Sequence, residues 1–140
     1  MTAAFVPLTG ELVAAIKRQP EQQYDLIDAQ QIEAMLPHCA GEVLIVAGEP
    51  LLAWMAVRVW PGRQLFNVVM SEAAGAYMVR IVRRLRRWLD LEADPRVDTT
   101  VRTGWAEGYR FAELLGFKAR CRLDRYDHLG RSHVFYERVT

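Results

Sequence analysis

Cysteine is nearly absent from this sequence. Its two cysteines, Cys39 and Cys121, are far apart and sit in no C-x-x-C or Cys/His ligand spacing. That excludes a disulfide framework or a zinc motif of familiar spacing, and leaves two reduced thiols used as small apolar side chains. Long apolar runs are missing too. No stretch approaches the roughly 20 residues that cross a bilayer, and the first five residues have neither a basic start nor an apolar core, so they do not read as a signal peptide. Charge of one sign is also lacking: 18 Lys and Arg against 17 Asp and Glu give a net charge of +1. Any attraction for nucleic acid or an anionic membrane must then come from a local patch. Repeats, low-complexity tracts and Gly/Ser linkers are absent, and His38, His128 and His133 show no ligand or triad spacing. These absences describe a cytoplasmic protein with no membrane partner and no general affinity for nucleic acid.

What is present is ordinary globular material: 140 residues, 51% hydrophobic and 25% charged. A chain of this length buries roughly 68–70% of its unfolded surface and needs no covalent staple. Pro and Gly fall where turns are expected, so residues 1–140 read as one continuous domain. Phe5–Leu8 reads as a short first strand with Pro7 suited to an edge. Thr9 is a helix N-cap with Glu11 in the first turn, and Leu12, Val13 and Ile16 form an apolar stripe. A second helix begins at Asp28, where Gln31 completes a capping-box-like pair, and stops before Pro37.

The middle is rich in strands. Val43–Ala47 is a short apolar run turning at Gly48-Glu49-Pro50, Leu51–Trp60 follows and turns at Pro61-Gly62, and Leu65–Met70 is the next strand. The links are too short for a crossover helix, so the three form an antiparallel meander. After the small-residue loop Ser71–Gly75 comes an amphipathic helix over Ala76–Leu91, with Met78, Ile81, Val82, Leu85, Trp88 and Leu89 as its apolar stripe. Val97–Arg102 alternates as a strand. Strand, helix and strand here make a crossover unit, so the strands on either side should be parallel. A short helix capped by Thr103 ends at Gly116, Phe117–Asp124 alternates as a half-buried strand, and Asp127–Arg131 turns the chain into His133–Val139 to close a hairpin.

This order resembles the GNAT N-acyltransferase superfamily over nearly the whole chain. The most specific local piece is Gly108-Tyr109-Arg110-Phe111-Ala112-Glu113-Leu114-Leu115-Gly116-Phe117, similar to the family's fourth helix closing on Leu-Gly-Phe. The resemblance implies an α/β (α+β) fold with a mixed, mostly antiparallel central sheet and helices on both faces. It implies acetyl-CoA as the acyl donor and an amine on a small molecule or host protein as acceptor. In this family a loop of the form Q/R-x-x-G-x-G/A opens the third helix, where free amides and the helix dipole cradle a pyrophosphate. The matching span is Glu72-Ala73-Ala74-Gly75-Ala76-Tyr77. Gly75 fits, Glu72 replaces the Gln or Arg, and Tyr77 replaces the last small residue. The resemblance thus assigns cofactor binding to Ala73, Ala74, Gly75 and Ala76, and alignment of the pantetheine arm to the backbone of Val68, Val69 and Met70.

At the catalytic end, many family members carry a Tyr four residues before the Gly-Phe as general acid; here that position is Ala112. Tyr109 lies three residues earlier and is the substitute candidate, given a rotated helix. The family's base is often a Glu on the fourth strand. Leu65–Met70 has no acid, which leaves Asp98 on the next strand as the candidate base, or else a solvent-exposed carboxylate with no role.

A narrower resemblance is to a small GNAT-like family of podoviruses that includes an internal virion protein. It rests on Arg110-Phe111 before Gly116, Tyr126-x-x-x-Gly130 and an aromatic strand containing Phe135. It implies a bacteriophage protein acting on a host target or virion component, with acetyl transfer open to loss. Arg80, Arg83, Arg84, Arg86 and Arg87 lie on the third helix, with 80, 84 and 87 on one face. They make either a phosphate-binding face or a solvated one partnered by Asp90, Glu92 or Asp94. Lys118, Arg120 and Arg122 form a second cationic row, read as the wet side of a strand. Trp54 and Trp60 point the same way and pack under a helix, whereas Trp105 is placed to line a pocket or anchor an interface.

Overall fold

A computed structural model describes residues 2–140. It contains seven strands and four α-helices: β1 (Ala3–Pro7), α1 (Gly10–Ala14), α2 (Ala29–Met35), β2 (Cys39–Val46), β3 (Glu49–Trp60), β4 (Arg63–Met70), α3 (Met78–Leu91), β5 (Arg96–Arg102), α4 (Ala106–Leu114), β6 (Lys118–Leu123) and β7 (His133–Val139). The order of hydrogen-bonded neighbours is β1-β2-β3-β4-β5-β7-β6. β4 and β5 are parallel, whereas β1–β2, β2–β3, β5–β7 and β6–β7 are antiparallel. The expected mixed, mostly antiparallel sheet is present. The chain divides into two compact units, one made of residues up to Arg58 with Phe66–Met78, the other of Val59–Leu65 with Val79–Thr140.

The first unit is built on β1, β2 and most of β3. Pro7 ends the edge strand β1, where its missing N–H costs no ladder bond. Thr9 caps α1 by accepting from Leu12 N at 3.1 Å, and Asp28 caps α2 by accepting from the N–H groups of Gln30 and Gln31. Gly10 lies so close to Ala29 that a Cβ would stand 2.1 Å from its carbonyl oxygen. Val13, Ile16 and Ile32 then pack on Val43, Ala53 and Val69. Each such side chain contributes about 1.5–3 kcal/mol by leaving water. The β2–β3 turn falls at Ala47-Gly48, both with positive φ, one residue earlier than the sequence suggested. Pro50 therefore lies inside β3, beside a register shift that gives the strand one extra residue. Trp54 is buried, stacked on Phe66 and donating to Glu42.

In the second unit, α3 buries Ile81, Leu85 and Leu89. Buried Gln64 accepts from Asp94 N at 2.8 Å and so fixes the turn into β5. The α4 cap is Trp105 rather than Thr103. Gly104 takes a left-handed φ between them, and the helix starts only after that bend. Trp105 packs over Gly108, where a Cβ would lie 2.7 Å from the ring. Two further expectations change. β6, the end strand of the sheet, is exposed over Lys118–Arg122 instead of half-buried, and its charged side chains discourage further edge pairing. Trp60, at the end of β3 by the β3–β4 hairpin turn, is exposed rather than packed under a helix, with the Arg63 guanidinium 4.7 Å above its ring.

Candidate functional site

In the first unit, β4 ends in the backbone assigned above to ligand alignment. β5 pairs only with Arg63–Leu65, and β4 runs on through Met70. A side chain can reach main-chain groups in the plane of a sheet only along an edge that no strand occupies. Gln22 does so. Its Nε2 donates to Val68 O at 2.7 Å, and its Oε1 accepts from Met70 N at 2.9 Å. A single residue of a parallel neighbour would engage this same carbonyl and amide, two positions apart, with its own N–H and C=O. The carboxamide of Gln22 supplies that donor and acceptor. Gln19 N adds a bond to Met70 O at 2.9 Å, and Gln19 Nε2 donates to Gln22 Oε1. Gln22 is 5% exposed and lies in a short 3-10 turn opened by Pro20. Arg18 holds the turn by donating to the carbonyls of Gln22 and Asp25. Nothing in the sequence marked Gln22. A lone Gln in a polar stretch gives no signal until the fold lays it along β4.

Directly after β4, Ser71 N donates to Leu51 O, and Ser71 caps the next turn by accepting from Ala73 N at 3.2 Å. Glu72–Tyr77 is a 3-10 turn, so α3 begins at Met78, two residues later than expected. Ala74 is buried, whereas Ala73, Gly75 and Ala76 are exposed. Around Gly75 a Cβ would meet nothing within 4 Å. This open, small-residue turn leads into a 14-residue helix, whose N-terminus favours an anion. The exposed Glu72 carboxylate works against one.

The second unit holds both residues singled out for proton transfer. Asp98 is not the exposed carboxylate weighed above: it is 2% exposed. Arg63 Nε lies 2.6 Å from its Oδ2, and Arg96 Nη2 lies 3.2 Å from its Oδ1. The second contact is an ion pair without hydrogen-bond geometry, so Oδ1 accepts no hydrogen bond. Buried charge of this kind demands pairing, and both guanidiniums are committed to it. Tyr109 accepts from Gly104 N at 2.6 Å through its hydroxyl, and its ring lies 6.2 Å from Tyr136. Burial, then the charges of Glu113 and Tyr109, push the Tyr136 phenol up. Ala112, at the family's acid position, is buried in α4.

Of the three histidines, to which spacing assigned no role, His133 makes side-chain hydrogen bonds on both ring nitrogens. Asp127 Oδ2 lies 2.9 Å from His133 Nε2, and His133 Nδ1 lies 3.2 Å from Thr100 Oγ1. Thr100, His133 and Asp127 thus form a hydrogen-bonded chain, local between Asp127 and His133 and joined to Thr100 because β7 lies beside β5. Burial raises the Asp127 pKa, but bonds from His133, Arg131 and the N–H groups of residues 129 and 131 outweigh it and hold the carboxyl well below its ordinary value. On α3, Arg86 donates to Leu114 O, while Asp90, one of the expected partners of the arginine face, pairs with Arg138. The row on β6 is divided likewise: Arg120 pairs with Glu137 and Arg122 with Asp124. The Arg120 bond, aided by Arg96, holds the Glu137 carboxyl below its ordinary value.

No family model and no curated protein matches the sequence. Solved structures do match the fold. Ard1 from Thermoplasma volcanium aligns over 100% of this chain and 99% of its own with TM-score 0.82 at 13% identity. The ribosomal-protein-S18-alanine N-acetyltransferase of Escherichia coli aligns over 99% and 94% with TM-score 0.77 at 14% identity. A spermidine N-acetyltransferase SpeG chimera from Vibrio cholerae and hSSAT aligns over 99% and 96% with TM-score 0.68 at 11% identity. Among the described residues no helix is long and apolar enough to cross a membrane. At these identities the likeness speaks for architecture, and with the strand order and the β4–β5 pairing it shows that this chain carries the GNAT N-acetyltransferase fold.

Proposed function

We propose that the chain is a phage-encoded, acyl-CoA-dependent N-acetyltransferase that works by positioning rather than by strong acid–base catalysis. The observation carrying this reading is the succession, within the first unit, of an amide-pairing edge and an open small-residue turn. Val68 O and Met70 N present an acceptor and a donor suited to an amide, as their engagement by Gln22 illustrates. Five residues after Met70, Gly75 leaves room for a phosphate to approach the main chain. Acyl-CoA joins amide groups and a pyrophosphate in one molecule. Val68, Val69 and Met70 would hold the first and Ala73, Ala74, Gly75 and Ala76 the second, with Glu72 lowering affinity.

The reaction forms a bond between the acceptor nitrogen and the acyl carbon and breaks the carbon–sulfur bond, leaving a thiol. Attack of a neutral amine on a thioester needs mainly alignment, which supplies much of such a rate. Asp98 is committed to Arg63 and Arg96, so the reading gives the amine proton to water. Tyr109, whose hydroxyl accepts from Gly104 N, stays the candidate acid. The acceptor is an amine on a small molecule or a host protein, in keeping with fold neighbours named for spermidine and for a ribosomal-protein alanine. Phage origin rests on Arg110-Phe111, Tyr126-x-x-x-Gly130 and Phe135, the residues shared with the podovirus family.

The commitment of Asp98 also supports a second reading, a GNAT-fold phage protein without turnover that docks on a host protein or virion component. Ala112 and Glu72 point the same way. Titration with acetyl-CoA, by calorimetry and by thermal shift at several concentrations, separates the two. Micromolar binding with a melting temperature that climbs with ligand, as linkage requires, supports the enzyme. No binding at millimolar ligand rejects it and leaves the docking protein.

A further inference from the structure

We propose that Gln22 is a built-in occupant of the amide site on β4, and that an amide-bearing chain enters only by displacing it. The inference rests on the acyl-CoA reading of Val68–Met70 and assigns that site its own regulation.

Three features carry it. The side chain makes a two-point contact, with donor on Val68 O and acceptor on Met70 N, so both groups that a ligand amide would use are spoken for. It is 5% exposed and reaches across 46 and 48 positions of sequence, so this is not a surface side chain resting on its own neighbourhood. The remaining acceptor of the edge, Met70 O, is taken by Gln19 N of the same turn. The segment therefore covers the edge as a strap would.

The strap is a single short turn. Besides its β4 contacts, the turn Pro20–Gln22 is held by Arg18, through the carbonyls of Gln22 and Asp25, and by hydrogen bonds among its own residues. Releasing it exchanges one set of amide bonds for another: the ligand's N–H and C=O replace those of Gln22. Little net hydrogen-bond energy is gained by such a swap. Apparent affinity is then reduced by the fraction of molecules in which the strap is open. A group at 22 that cannot make the contact removes that competition. Alanine would leave Val68 O and Met70 N to water in the free protein and to the ligand in the bound one. Glutamate would keep the acceptor for Met70 N but place an oxygen against Val68 O.

The test is calorimetric titration of acetyl-CoA into the full chain, the Gln22→Ala variant and the Arg18→Ala variant. Hydrogen exchange followed over residues 18–25 and at the Met70 amide accompanies it. Gln22→Ala should bind about tenfold tighter or more, the scale of one or two net hydrogen bonds. Arg18→Ala, which loosens the strap without touching its contacts on β4, should shift affinity the same way by less, and serves if Gln22→Ala does not fold. In the parent protein, ligand should speed exchange over 18–25 while Met70 stays protected. Equal affinity in all three proteins, or weaker binding by Gln22→Ala, overturns the strap and leaves the acyl-CoA reading standing. No binding by any of them overturns both.

Discussion

Arg63 and Asp98 face each other across the parallel pairing of β4 and β5, with guanidinium Nε 2.6 Å from carboxylate Oδ2. Leu65 is the Cα partner of Asp98, two positions beyond Arg63, so the contact runs diagonally and ties the start of β4 to β5 where their pairing ends. Arg63→Met leaves a carboxylate that is 2% exposed, with the Arg96 guanidinium still beside it. Breaking a buried pair in this way costs about 3 kcal/mol. Asp98→Asn should cost less, because the arginines it releases are both partly exposed. Urea unfolding of the two variants checks the order. Equal midpoints would mean that the pair carries no such asymmetry.

Asp127 should make stability depend on acid pH. Its folded pKa lies below the ordinary carboxylate value. Its contribution is therefore complete above about pH 4–5, the range of an unfolded Asp, and is lost as pH falls through that range toward the folded value. Asp127→Asn keeps the shape but removes the titration. Melting temperatures from pH 6 down to pH 2.5 should fall less steeply in the variant, and parallel curves would discount Asp127 as the source.

Gly75→Asp is a clean probe of the turn after β4. A Cβ there meets nothing within 4 Å, so stability should stay within about 0.5 kcal/mol of the parent. A carboxylate beside a pyrophosphate should still weaken acetyl-CoA by about tenfold or more. A correctly folded variant with unchanged affinity would remove residues 73–76 from the cofactor site.

The two thiols should separate under alkylation. Cys121 is exposed on β6, whereas Cys39 is half-buried and burial pushes its thiol pKa up, against a smaller opposing effect of a backbone hydrogen bond at Ala56. The thiolate is the nucleophile, so both differences slow Cys39. With limiting iodoacetamide near pH 8, peptide mapping should find Cys121 modified well before Cys39. Labelling at equal rates would mean that the start of β2 opens readily.

The sequence by itself determined the elements whose cause is local. Thr9 and Asp28 cap their helices, Gly116 ends α4, and the period of Ile81, Leu85 and Leu89 fixes which face of α3 is buried, all within a few residues of chain. The strand–helix–strand spacing also sufficed for a parallel β4–β5 pair, since chain connectivity alone dictates that handed crossover. The turn at Ala47-Gly48 and the Trp105 cap slipped by a residue or two. There the deciding quantity is a positive φ, which composition only biases. What tertiary structure decided was the state of the buried polar groups, Asp98 and Gln22 among them. Asp98 looks like a wet strand carboxylate until Arg63 and Arg96 close on it. Thr100 meets His133 only because β7 lies beside β5. Gln22 meets Val68 and Met70 across more than 45 positions of chain. Burial and hydrogen-bond pairing are properties of what surrounds a side chain, and for these residues the surroundings come from strands and turns that are distant in sequence.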